Sequence, residues 1–158
     1  MSAREDAERY FATAYEAQMK GDLETAIACY RKSIAAVPTA EAHTFLGWTY
    51  SFKGDYEAAI RECRAAIRID PEFGNPYNDI GSYLIKLGRY ADAIPWLEKA
   101  ITARRYEPRH YPHVNLARVY AKQGKILEAI AEVGRALELE PHYQPARTEL
   151  HRLVGMLN

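Results

Sequence analysis

Apolar residues recur along this chain at intervals of three and four, and the stripes they form are broken at regular places. Phe45, Leu46 and Tyr50 lie on one stripe; Ile60, Cys63, Ala66 and Ile67 lie on the next. That spacing is the signature of amphipathic helices. Four glycines, Gly21, Gly54, Gly88 and Gly124, each follow a long residue and precede a charged one, at intervals of 33, 34 and 36 residues. Four prolines, Pro38, Pro71, Pro108 and Pro141, follow them. Between each Gly and its Pro stands an Ala-Ile pair: Ala26 and Ile27, Ala59 and Ile60, Ala93 and Ile94, Ala129 and Ile130. The pattern predicts a repeated unit of two helices. Gly supplies the left-handed cap after the first helix, and Pro stops the second because it lacks a donor and disfavours helical geometry before it. Small Ala residues let the paired helices approach, and stacking of neighbouring units buries the stripes.

The units run over about 7–39, 40–73, 74–109 and 110–143, with a capping helix over about 144–157. The whole chain reads as one domain. The cap has Ala146, Leu150, Leu153, Val154 and Leu157 on one stripe, with Arg147, Glu149, His151 and Arg152 off it. The third unit departs from the period. Its excess falls in residues 101–107, and its second helix carries Pro95, which is expected to kink the helix or sit near its first turn.

Leu46-Gly47-x-x-Tyr50, then Gly54-Asp55-Tyr56-x-x-Ala59, Ala66 and Asp70-Pro71 resembles a tetratricopeptide repeat. The third unit agrees through Ile80-Gly81, Gly88-Arg89-Tyr90, Ala93 and Ala100. The fourth agrees through Leu116-Ala117-x-x-Tyr120, Gly124, Ala129, Ala136 and Glu140-Pro141. The first unit is looser but keeps Gly21-Asp22, Ala26, Tyr30 and Pro38. The resemblance implies an all-α, right-handed superhelical solenoid whose concave groove, lined by the first helix of each unit, binds peptides or helical segments of other proteins.

Composition narrows this further. Twenty-five alanines against 17 Gly plus Pro argue against disorder and against a turn-rich β fold. Lys plus Arg equals Asp plus Glu at 21 each, which removes the generic electrostatic case for nucleic acid or an anionic membrane. No run approaches 18 apolar residues, and the charged start from Met1 to Asp6 leads into no signal-peptide core, so a cytoplasmic location is expected. Cys29 and Cys63 form no metal or redox spacing and read as small core residues. No catalytic or phosphate-loop motif occurs: Gly124-Lys125 is followed by Ile126 and lacks the upstream Gly. His110 and His113 are two ligands without a third. No enzyme, cofactor or metal is expected.

Positions opposite the packing stripe of each first helix are the groove candidates. These include Phe11 and Tyr15 in the first unit, and Thr44, Trp48 and Phe52 in the second, with Phe45 able to turn inward. The third offers Asn78, Ser82 and Lys86 beside Asn75 and Asp79; the fourth offers Asn115, Arg118 and Lys122 beside Tyr111 and Val114. One end of the groove is therefore aromatic and the other rich in amides and cations. An exposed aromatic cluster marks an interaction site. Residues 1–79 carry 9 Lys plus Arg against 13 Asp plus Glu, and residues 80–158 carry 12 against 8, so the neutral total hides a dipolar molecule. A subclass of the resembled family clamps the acidic tail of chaperones with a Lys–Asn pair one helical turn apart. The corresponding positions hold Phe11 and Tyr15, or Thr44 and Trp48, so the opening pair is absent. The sequence thus points to a protein-binding adaptor whose ligand brings an apolar anchor and acidic groups. The alternative is a self-assembling module in which oppositely charged halves meet head to tail.

Overall fold

In a computed structural model describing residues 1–158, the chain forms nine α-helices and no sheet. They are α1 (Ala3–Met19), α2 (Leu23–Ala36), α3 (Ala40–Phe52), α4 (Tyr56–Ile69), α5 (Asn75–Lys86), α6 (Tyr90–Thr102), α7 (His110–Lys122), α8 (Ile126–Leu139) and α9 (Gln144–Gly155). Helices pack as antiparallel neighbours in pairs, α1 with α2 through α7 with α8. Each pair stacks on the next, with α9 closing against α8. This is a solenoid of helical hairpins, as the period required.

The turn inside each hairpin is built once and used four times. Gly21, Gly54, Gly88 and Gly124 have φ between 75° and 80°, the left-handed region. The following amide donates back to the carbonyl five residues earlier: Asp22 to Ala17, Asp55 to Tyr50, Arg89 to Leu84 and Lys125 to Tyr120, at 2.8–3.1 Å. This closure satisfies carbonyls that the end of the helix would otherwise leave bare. The next helix starts differently in the two halves of the chain. Asp22 and Asp55 accept from the amides of Thr25 and Ala58 as side-chain caps, whereas Arg89 and Lys125 hold the same places without one.

Ala26, Ala59, Ala93 and Ala129 are fully buried, where they let the helices of each hairpin close on one another. The central core joins Ile60 and Cys63 of α4, Ile80 and Leu84 of α5, Leu97 of α6, and Leu116 and Val119 of α7. Cys63 is buried and Cys29 half-buried, both as free thiols. Helix α6 continues through Pro95, its sixth residue, to Thr102. Pro95 is exposed, so the carbonyl it leaves without an amide partner faces an outer surface.

On α9 the expected stripe is only half used. Ala146 and Leu153 are buried and Leu150 half-buried, but Val154 and Leu157 are 46% and 52% exposed. The helix ends at Gly155, and α8 is its main neighbour, so the last turn has nothing to pack on.

Candidate partner-binding groove

The odd-numbered helices share one face, and their side chains enclose a cavity of about 720 Å³ in the middle of the chain. Tyr15 comes from α1; Thr44, Phe45 and Trp48 from α3; Asn75, Asn78 and Asp79 from α5; and Tyr111 from α7. Tyr106 and Pro108, from the segment joining α6 to α7, complete the wall.

The aromatic end is held together ring by ring. Phe45 meets Phe11 and Tyr15 edge-on at 5.2 and 5.9 Å and Trp48 at 5.9 Å, while Trp48 packs on Phe52 at 5.0 Å. Edge-to-face contacts of this kind add about 0.5–1.5 kcal/mol each beyond burial. Phe45 is therefore the hub that turns inward. Trp48 stays half-buried with part of its ring toward the groove, and Phe52 is 57% exposed.

Polar groups on the other side bind one another. The amide of Asn115 donates to Asn78 Oδ1 at 3.0 Å, and Arg118 donates to Asn115 Oδ1 at 3.0 Å. Both asparagines are buried, and this ladder ties α5 to α7. Thr44 donates to the Ala40 carbonyl at 2.7 Å, which ties its hydroxyl to the backbone of its own helix. Asp79 differs from these. It is half-buried, and desolvation by the surrounding wall pushes its carboxyl up from the ordinary carboxylate range to about 7, with no hydrogen bond or neighbouring charge to offset it.

Of the sequence candidates, Tyr15, Thr44, Trp48 and Asn78 line the cavity together. Phe11 lies outside it, lining a second hollow of about 620 Å³ with Val37 and Glu41, and Phe45 borders both. Asn115 is buried at the centre of the ladder, Ser82 is half-buried, and Lys86, Arg118 and Lys122 are exposed beyond the wall. His113 Nδ1 stands 2.7 Å from Glu132 Oε2, repeating the His43–Glu62 contact of the second hairpin at the same distance.

Tyr106 and Pro108 escaped sequence reading as groove residues, although the excess length of the third unit marked where to look. That segment folds back across the stack. The Gly74 amide donates to the Arg105 carbonyl at 2.8 Å, and the Arg105 amide donates to the Glu72 carbonyl at 3.0 Å. A Cβ on Gly74 would stand 2.4 Å from Tyr106 Cβ, so only Gly lets the buried Tyr106 lie against it. The cations of this turn are engaged inside the chain. Arg105 pairs with Asp70, Arg104 lies 3.7 Å from Glu72, and Arg109 donates to the Ile101 and Ala103 carbonyls at 2.8 Å.

Two tetratricopeptide repeat family models match the chain, over residues 40–73 and 73–141. The small glutamine-rich tetratricopeptide repeat-containing protein 2 of Mycosarcoma maydis is 30% identical over 96 residues, covering 60% of this chain and 27% of that protein. The chain thus spans about a quarter of that relative's length. Pseudomonas aeruginosa PilF has the same fold, with a TM-score of 0.90 at 23% identity over 98% of this chain and 70% of that one. YrrB, described as a tetratricopeptide repeat protein with an unusual peptide-binding site, superposes with a TM-score of 0.72 at 25% identity, covering 96% of this chain and 78% of that one.

Proposed function

Because this chain belongs to the tetratricopeptide repeat family, whose repeats are generally protein–protein interaction modules, we propose that it is a non-enzymatic adaptor holding a segment of another protein in its concave groove. The observation that carries this reading is the aromatic-walled cavity of about 720 Å³ shared by α1, α3, α5 and α7. Trp48 is the anchor. Its ring is fixed between Phe45 and Phe52, so little side-chain freedom remains to be lost when an apolar group of the ligand covers it. Arg118, steadied by Asn115, and the exposed Lys86 and Lys122 meet acidic groups of the same ligand. The peptide-binding site ascribed to the similarly folded YrrB is in keeping with this use of the scaffold.

A short segment bound this way has micromolar affinity, about −8 kcal/mol. Trp48→Ala is expected to abolish capture of the partner in a pull-down read by mass spectrometry, with far-ultraviolet circular dichroism unchanged. Undiminished capture by a folded variant would remove Trp48 from the site.

A second reading, self-assembly, is favoured by one observation. Val154, Met156 and Leu157 leave an apolar edge at the end of the stack, where another helix of the same kind would continue it.

A further inference from the structure

Asp79 is the one acid in the groove wall, and that wall contains no Lys or Arg. Five rings from four parts of the chain line the same cavity: Tyr15 of α1, Phe45 and Trp48 of α3, Tyr106 of the α6–α7 segment and Tyr111 of α7. The other half-buried acids of the chain all have partners. Asp70 pairs with Arg105, Glu62 with His43, and Glu132 with His113 and Arg135. Asp79 has neither a hydrogen bond nor a neighbouring charge.

A carboxylate in this setting lacks a counter-charge, and its surroundings specify which one. Aromatic faces attract cations and shelter apolar stems, while the carboxylate accepts charge-assisted hydrogen bonds. A hard metal ion is a poor occupant, because it requires six or more oxygen ligands and the wall offers one carboxylate. A volume of about 720 Å³ suits a long side chain entering from solvent.

We propose that the groove seats a Lys or Arg side chain of the partner segment, with its charged head on Asp79 and its stem along Trp48, Tyr106 and Tyr111. This rests on the groove reading above and adds to it a requirement for a basic residue in the ligand. Capture strengthens as pH rises through about 7, where Asp79 loses its proton. The titratable groups facing Asp79 are Cys63 of α4, Tyr83 of α5 and Tyr106, all pushed upward by burial and so neutral there, together with Tyr15 and Tyr111 of the wall.

The test uses the full chain and two isosteric probes, cationic n-butylguanidinium and neutral n-butylurea. Nuclear magnetic resonance reads the indole N–H of Trp48. Trp96, which packs under Arg64 and Lys99 on α4 and α6 and lies outside the groove, serves as internal reference. The guanidinium is expected to shift Trp48 saturably and to bind about tenfold more tightly than the urea. Asp79→Asn removes that preference. In the wild type the preference grows from about pH 6 to about pH 8, which tests the proposal independently of the variant's folding. Equal binding of the two probes, or an unaltered preference in Asp79→Asn, overturns the cation site while leaving the groove standing. If neither probe moves Trp48, the cation site falls, and the Trp48→Ala pull-down decides the groove separately.

Discussion

Asp79 stands two residues before Gly81, the place that Phe45 holds before Gly47 in the preceding hairpin. At one position the side chain closes an aromatic cluster; at the other it leaves a carboxyl with nothing to bind. The consequence for stability has a definite sign. In the unfolded chain Asp79 releases its proton near 3.8, but in the folded chain it keeps the proton up to about 7. The folded state therefore binds more protons across that interval. Stability is highest below it, declines as pH climbs from about 4 to 7, and is level above. Asp79→Asn removes the decline. Urea unfolding is expected to show the variant more stable than wild type by about 4 kcal/mol near pH 8, with no gain near pH 4. An equal difference at both pH values would mean that the carboxyl is not desolvated as described.

The segment between α6 and α7 shows where a repeat ceases to be a repeat. Its partner is Gly74, whose missing Cβ makes room for Tyr106. Gly74→Ala forces two backbone-proximal groups apart and is expected to cost about 1–3 kcal/mol in urea or thermal unfolding. A loss under about 0.5 kcal/mol would show that Tyr106 moves freely. Turn glycines, buried alanines and the other helix ends were legible in the sequence because each depends on neighbours within one helical turn or one hairpin, whereas α6 ends at Thr102, well before the Pro108 expected to stop it. The Asn115–Asn78 bond joins residues 37 apart, and the seat of Tyr106 depends on a glycine in the previous turn; no local spacing reveals either. Counting residues located the insertion at 101–107 without saying where it would fold. Phe45 and Trp48 were legible as a groove pair, but only the contacts with Phe11, Tyr15 and Tyr30 show that Phe45, half-buried like Trp48, is the hub of the cluster.

At the scale of the molecule, the acidic first half and basic second half meet through the pairs Asp70–Arg105 and Glu72–Arg104. An adaptor is expected to scatter light as a monomer across protein concentration and ionic strength. Mass that grows with concentration and falls with added salt would favour head-to-tail assembly instead. The backbone bonds from Gly74 to Arg105 and from Arg105 to Glu72 also bear on how the whole stack deforms. A solenoid behaves as a spring whose compliance lies in its junctions, since each unit touches only its neighbours. Here the middle coils are riveted to one another by a backbone crosspiece, whereas the first two hairpins are joined through side-chain pairs, Lys53 with Glu24 and Arg31 with Tyr50. Stretching from the termini unwinds α1 and α9 first, and the span of wall that carries Trp48, Asp79 and Tyr106 is the last to change its curvature.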